Sequence, residues 1–105
     1  MVDTERTGKF LKCPNGFQVS FPNGWTASVL WGWGNYCENR DEDKWNPEFL
    51  ESRNAELAAF PTGESYSQDE WHFFPEENDV VKGWQNVSQV MSFLNMVSMK
   101  ENVNV

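Results

Sequence analysis

The chain has 105 residues, of which 39% are hydrophobic and 15% aromatic, and its formal net charge is −8. This length predicts a single domain over residues 1–105, large enough to bury a core without disulfides or metals. The acidic balance disfavours direct binding to nucleic acid or to an anionic membrane, because both depend on Lys and Arg releasing counterions.

The two cysteines, Cys13 and Cys37, are too few for a disulfide scaffold. Residues 1–6 are charged and polar, unlike a secretory leader, and no apolar run approaches the ~20 residues of a membrane span. We therefore expect a cytoplasmic protein with reduced thiols and no membrane partner. Residues 1–8 are polar and end in Gly8, which indicates a loose arm before the first strand.

The tripeptide Pro-Asn-Gly occurs twice, at 14–16 and at 22–24. We interpret each copy as a three-residue hairpin loop, in which Pro sets φ at the first position and Gly takes a left-handed third position. A loop of this length at 22–24 aligns apolar residues on one face of the next two strands. The predicted pairs are Phe21 with Trp25, Val19 with Ala27 and Phe17 with Val29.

The first turn, treated in the same way, sets Cys13 opposite Phe17 and Leu11 opposite Val19. The result is a three-stranded antiparallel meander, with strands at roughly 9–13, 17–21 and 25–31. One face of this meander is apolar. The other face is predicted to carry the polar residues Lys12, Gln18, Ser20, Thr26 and Ser28.

Residues 32–47 have no regular hydrophobic period and end at Pro47. Glycines on both sides of Trp33 break the preceding strand and allow close backbone approach. A loop of this length in a small domain is usually functional or mobile.

The segment Ser52–Phe60 predicts a further strand, although its Ala, Glu and Leu content also suits a helix. We favour the strand because a turn at 61–64 follows it and because Glu70–Phe74 resembles a pairing partner. Residues 80–84 indicate a short extended piece.

The last element is predicted to be a helix over about 87–99, capped by Asn86 or Ser88. Its apolar residues recur at helical spacing and should lie across the apolar face of the sheet. They are Val87, Val90, Met91, Leu94 and Val97, widened by Phe93 and Met96. Residues 101–105 are expected to fray. The predicted class is α+β, with an antiparallel sheet of four to five strands packed by one C-terminal helix.

Catalytic signatures are absent from the sequence. The single histidine, His72, lies between Trp71 and Phe73, a setting typical of a structural residue. Zinc-type Cys and His spacings do not occur, and the acidic run at 41–43 lacks the alternating ligands of a calcium loop. We therefore expect a protein that is not an enzyme and needs no cofactor or metal.

The densest candidate binding cluster follows the third predicted strand. Its members are Trp31, Trp33, Asn35, Tyr36, Asn39 and Arg40. Rings that stack, amides and an arginine suit a nucleobase with a phosphate, and they equally suit the anchor of a protein interface. The structural alternative is that Trp31 and Tyr36 close one end of the core while Arg40 pairs with Asp41 or Glu42.

Residues 23–40 read NGWTASVLWGWGNYCENR. This stretch resembles a family of small, mostly uncharacterised phage-encoded proteins, whose strand-and-loop signature here takes the form NGWxxSVxWGxGNYC. A later Ala-Glu-Leu-Ala strand at 55–58 and a Gly-Trp segment at 83–90 extend the resemblance over roughly residues 15–97. The resemblance implies an accessory protein that acts in the cytoplasm of an infected bacterium.

Such phage proteins are often counter-defence factors, so we expect a protein that binds and inhibits a host defence protein without catalysis. One alternative is a sponge for a small nucleotide signal, of cyclic nucleotide or ADP-ribose type, with its site across a homo-oligomer. Another is a DNA mimic, which would use the carboxylates at 38–43, 48–51 and 76–79. A structural protein with no immune role is also compatible with the sequence.

Overall fold

The computed structural model describes residues 7–41, 51–63 and 67–103, in which five antiparallel strands form one sheet and a helix follows them. The elements are β1 (Lys9–Cys13), β2 (Gly16–Ser20), β3 (Trp25–Leu30), β4 (Asn54–Pro61), β5 (Lys82–Asn86) and α1 (Val87–Ser98). The strands lie side by side in chain order, so β1 and β5 form the two edges. This architecture confirms the predicted α+β class.

The second Pro-Asn-Gly turn adopts the predicted register. Val19 pairs with Ala27 and Phe17 with Val29, and the Phe21 N–H donates to the Trp25 carbonyl at 2.8 Å. Asn23 in this turn is buried, and its amide donates to the carbonyls of Val97 at 2.9 Å and Lys100 at 3.0 Å. The turn therefore supplies a further donor to carbonyls at and just beyond the C-terminal end of α1, where i+4 partners within the helix run out.

The first Pro-Asn-Gly turn differs from the prediction by one residue. Cys13 pairs with Gly16, so the loop contains only Pro14 and Asn15, and the predicted pairing of Cys13 with Phe17 is wrong. Gly16 belongs to β2 with φ of 150°, and a Cβ there would overlap the Val29 carbonyl on β3. The glycine therefore permits close strand approach instead of supplying the turn.

This shift of one residue exchanges the two faces of β1. Phe10 pairs with Val19 and Lys12 with Phe17, whereas the prediction placed Leu11 opposite Val19. Lys12 consequently lies on the same face as Phe17 and does not join the predicted polar face. Phe10 is 86% exposed.

The prediction of β4 as a strand is confirmed, but its predicted partner is wrong. Glu70–Phe74 is not a strand: residues 68–70 form a short 3₁₀ turn, and β5 pairs with β4 instead. The aromatic segment contributes one backbone bond to β4, from the His72 N–H to the Ala59 carbonyl at 2.8 Å. It then turns away at Pro75, which has no N–H to donate to a ladder.

The helix α1 begins after Asn86, one of the two predicted caps. The Asn86 side chain accepts from the Gln89 N–H at 2.9 Å, and the Gln89 side chain accepts from the Asn86 N–H at 2.8 Å, which forms a capping box.

The buried stripe of α1 consists of Val90, Phe93 and Val97. It packs on a core formed mainly by Ala27, Val29, Ala55, Leu57, Ala59 and Phe74. Val87 and Met91, predicted to belong to the stripe, are 66% and 53% exposed. Phe93, predicted to lie at its margin, is buried against the core because the helix is rotated toward His72 and Phe74.

Several predictions fall outside the described residues. They concern the loose arm within 1–6, the loop residues 42–47, the acidic residues 48–50 and the last residues, 104–105. For these segments the sequence-based expectations stay predictions.

Candidate functional site

A β-bulge interrupts the pairing of β4 with β5. Ala55 pairs with Gln85 and Leu57 with Lys82, so Gly83 and Trp84 together lie opposite Glu56. Trp84 has φ of 53°, a left-handed conformation that costs a non-glycine residue roughly 1–2 kcal/mol. A bulky residue in this conformation marks a place where surrounding structure holds the backbone, and such places concentrate at binding sites.

The loop after β3 holds the bulge in place. The Trp84 N–H donates to the Tyr36 carbonyl at 2.8 Å. At Gly83 an added Cβ would overlap the Tyr36 Cβ and lie 2.7 Å from the Tyr36 carbonyl oxygen. Glycine at 83 therefore lets Tyr36 pack directly against the backbone of β5.

The side chains of Tyr36 and Trp84 form an exposed stack. Their ring centroids are 5.7 Å apart with an interplanar angle of 18°, and the Arg40 guanidinium carbon lies 4.8 Å from the Tyr36 centroid. Tyr36 is 37% exposed and Trp84 is 53% exposed. We call these three residues, Tyr36, Arg40 and Trp84, the aromatic patch.

Two carboxylates brace the loop that carries Tyr36. The Tyr36 N–H donates to Glu56 Oε2 at 2.8 Å, and Glu56 is the residue opposite the bulge. Glu38 Oε1 accepts from the Arg53 N–H at 2.9 Å, and the Glu38 N–H donates to Asn54 Oδ1 at 2.7 Å. Charge-assisted bonds of this kind are stronger than neutral ones, so the patch is positioned before any partner arrives.

Two predicted binding residues, Asn35 and Asn39, form hydrogen bonds within the loop. Asn39 is buried, and its Oδ1 accepts from the Gly32 N–H and from the Cys37 thiol, both at 2.9 Å. The Asn35 amide donates to the Trp31 carbonyl at 3.2 Å. Both amides satisfy polar groups of the loop itself.

The other predicted residues divide between core and surface. Trp31 is partly buried against the core and meets Phe17 edge to face at 6.5 Å, as the structural alternative expected. Trp33 is 51% exposed between its two glycines. Arg40 lies over Tyr36; in the described residues it forms no ion pair with Asp41, and Glu42 lies outside them.

Trp84 is not among the residues that the sequence predicts for this site. The available signal was the Gly83-Trp84 pair inside an extended segment, since a glycine within a strand often marks a bulge. The local sequence does not reveal that the bulge lies opposite Glu56 and beneath Tyr36. That proximity depends on the pairing of β4 with β5.

Within 7–41, 51–63 and 67–103, no group of three His, Cys, Asp or Glu residues is placed to hold a metal ion. Cys13 and Cys37 are free thiols. In the same residues no helix combines the length and apolar character needed to cross a membrane.

Comparisons of the chain with protein-family models, with curated proteins and with solved structures returned no match. The resemblance to phage-encoded proteins and the function it implies therefore stay predictions.

Proposed function

We propose that this chain is a binding protein without catalytic activity, whose aromatic patch docks a protein partner in the bacterial cytoplasm. In the setting that the phage resemblance implies, the partner is a component of host defence and docking inhibits it. The observation that carries the proposal is the exposed stack of Tyr36 and Trp84 with Arg40 over it. Trp, Tyr and Arg are the residues most enriched among binding hot spots.

The construction of the patch favours tight docking. Trp84 is held in a left-handed bulge, and Tyr36 is fixed through Glu56 and the β5 backbone. Side chains ordered in advance lose less conformational entropy on binding, so more of the contact energy appears as affinity.

The charge around the patch favours a protein over a nucleotide. The guanidinium of Arg40 and the ring of Trp84 both lie against Tyr36, which leaves less of that ring open to a base. Exposed carboxylates of Glu38 and Asp41 share the loop, and they repel phosphate. The patch is therefore suited to a partner that presents an apolar pocket with basic residues around it.

The acidic turn at 76–79 gives less support to the DNA-mimic alternative. A mimic needs carboxylates free to imitate phosphates, whereas Glu76 is paired with Lys82 at 3.2 Å.

The test is protection of phage in bacteria that carry single defence systems. We expect the chain to restore plating of a sensitive phage against one system, and we expect Arg40→Ala and Trp84→Ala to abolish the rescue. The matched control is Phe10→Ala, which removes an exposed ring from the opposite sheet edge and should keep the rescue.

Calorimetry should show that the purified parent chain and Phe10→Ala bind the protein of that system directly. Arg40→Ala and Trp84→Ala should not bind it. Failure to rescue any system, or equal rescue by all three variants, would refute the proposal. A large thermal stabilisation by a cyclic nucleotide or ADP-ribose would instead favour the sponge, since a ligand at a hundredfold its Kd stabilises by about 2.7 kcal/mol.

A further inference from the structure

A concavity lies between α1, β5 and the segment that follows the 3₁₀ turn. Its volume is about 480 Å³, within the range of small-molecule sites. We call it the polar cleft. Its floor is apolar, formed by the buried side chains of Leu57, Phe74 and Phe93 and by the more exposed Met96, and its rim is polar, formed by His72, Glu76, Lys82, Gln85, Ser88, Gln89 and Ser92. Trp84, at the bulge between Lys82 and Gln85, belongs to the aromatic patch and does not line the cleft.

The floor of the cleft is a packed cluster of rings. His72 meets Phe74 edge to face at 4.7 Å and Phe93 at 5.9 Å, and Phe74 lies 5.5 Å from Phe93. The backbone N–H of His72 is fixed to the Ala59 carbonyl. The imidazole is therefore held against a buried ring cluster, and Met96 is the most exposed apolar group of the lining.

The imidazole itself is available for hydrogen bonding. In the part of the chain that the structure describes, neither ring nitrogen of His72 has a hydrogen-bond partner. Burial, followed by the charge of Lys100, lowers the pKa of His72 below 6.5. At neutral pH the ring therefore presents one donor and one acceptor.

Both glutamine amides on the rim use only half of their hydrogen-bonding groups. The Gln85 amide nitrogen donates to the Gly83 carbonyl at 3.0 Å, which leaves its oxygen as an acceptor. The Gln89 oxygen accepts from the Asn86 N–H, which leaves its nitrogen as a donor. The hydroxyls of Ser88 and Ser92 add groups that can serve either role.

The charges of the lining cancel. Lys82 and Glu76 form an ion pair at 3.2 Å, and His72 is neutral at neutral pH. An anionic ligand would find no unpaired cation in this lining, and the Lys100 ammonium, which acts on His72 from outside the lining, lies over the Trp25 ring at 4.6 Å. Its desolvation would therefore be poorly compensated. The surroundings favour an uncharged molecule that carries both donors and acceptors.

We propose that the polar cleft binds an uncharged planar heterocycle of nucleobase or nucleoside size. The ring would pack on Met96, above the buried rings of Phe74 and Phe93, and exchange hydrogen bonds with His72 and the two glutamine amides. This site is separate from the aromatic patch, so the two proposals stand independently.

The test is a nuclear magnetic resonance titration of the full chain with adenosine, cytidine and uridine in turn. His72 is the single histidine, so its imidazole signals are unambiguous. We expect one nucleoside to shift these signals saturably, together with the backbone amides of 88–92. Ser92→Phe and Ser88→Leu, which fill the cleft from α1, should each weaken binding about tenfold or more.

The matched control is Asn95→Phe, an exposed position on the same helix outside the cleft, which should bind like the parent chain. Circular dichroism checks that all variants are folded. Absence of a saturable shift with every nucleoside, or unchanged binding by both cleft-filling variants, would overturn the proposal. Tighter binding of the 5′-monophosphate than of its nucleoside would overturn the uncharged ligand class.

Discussion

The two edges of the sheet are built in different ways. β1 pairs regularly with β2, and its exposed Phe10 lies between Lys9 and Lys12. β5 carries a bulge with Trp84 in a left-handed backbone conformation, and the loop after β3 packs onto its backbone. Both the aromatic patch and the polar cleft adjoin β5. Lysines on an edge strand discourage pairing with other chains, whereas a covered and bulged edge directs particular side chains outward. We infer that β1 serves only as a protected edge of the sheet, whereas β5 also presents the side chains that bind partners.

The largest expected effect is that of Gly83→Ala. Its Cβ would overlap Tyr36, and overpacking of this kind costs typically 1–3 kcal/mol. We expect a lower free energy of unfolding, measured by urea denaturation, and loss of partner binding at the aromatic patch. Phe10→Ala on β1 should change stability by less than about 0.5 kcal/mol, as is usual for exposed positions. Equal effects at the two positions would contradict the difference between the edges.

A smaller effect isolates the strain at the bulge. Trp84→Ala and Trp84→Gly both remove the stacked ring, but only glycine accepts φ of 53° without steric cost. The glycine variant should therefore unfold with a free energy about 1 kcal/mol higher than the alanine variant. Thermal melting of the two variants measures this difference. The reverse order would show that the bulge relaxes when the ring is removed.

The smallest expected effect is the pH dependence of stability that His72, in the polar cleft beside β5, contributes. The pKa of His72 is lowered by burial and by Lys100, so the unfolded chain binds this proton more readily than the folded chain. The contribution of His72 to the free energy of unfolding is complete above pH 6.5. It declines as the pH falls from 6.5 toward the pKa of His72 in the folded chain. The effect is modest because the imidazole is only partly buried.

Urea midpoints at about pH 7.5 and about pH 5.5 bracket the ordinary histidine pKa and test this expectation. The midpoint should fall between them, and His72→Gln should show a smaller fall. Glu76, whose pKa is also lowered by its own backbone and by Lys82, titrates below this window. An identical fall in both chains would assign the pH dependence to other groups.

The two Pro-Asn-Gly turns show how far local sequence can determine structure. The second turn was predictable because six apolar residues share a face only in one register. At the first turn the deciding contact is the approach of Gly16 to Val29 on β3, which no local pattern reveals.

The dependence on contacts between distant strands also explains why the predicted partner of β4 was wrong. The sequence of β5, Lys82–Asn86, has few strand-forming residues, whereas Glu70–Phe74 has many. Nevertheless β5 is the strand that pairs with β4. For the candidate site, Tyr36 and Arg40 were found by residue type. Trp84 and the polar cleft depend on contacts between distant elements.

The buried amide of Asn23 has a consequence for the order of folding. It joins the second turn to carbonyls that follow the last strand by more than ten residues, and α1 emerges from the ribosome after every strand of the sheet. The apolar face of the sheet must therefore stay uncovered during synthesis until the helix arrives and Asn23 closes on its end. Nascent chains that stop before Val97 should expose this face and depend on chaperones for their solubility.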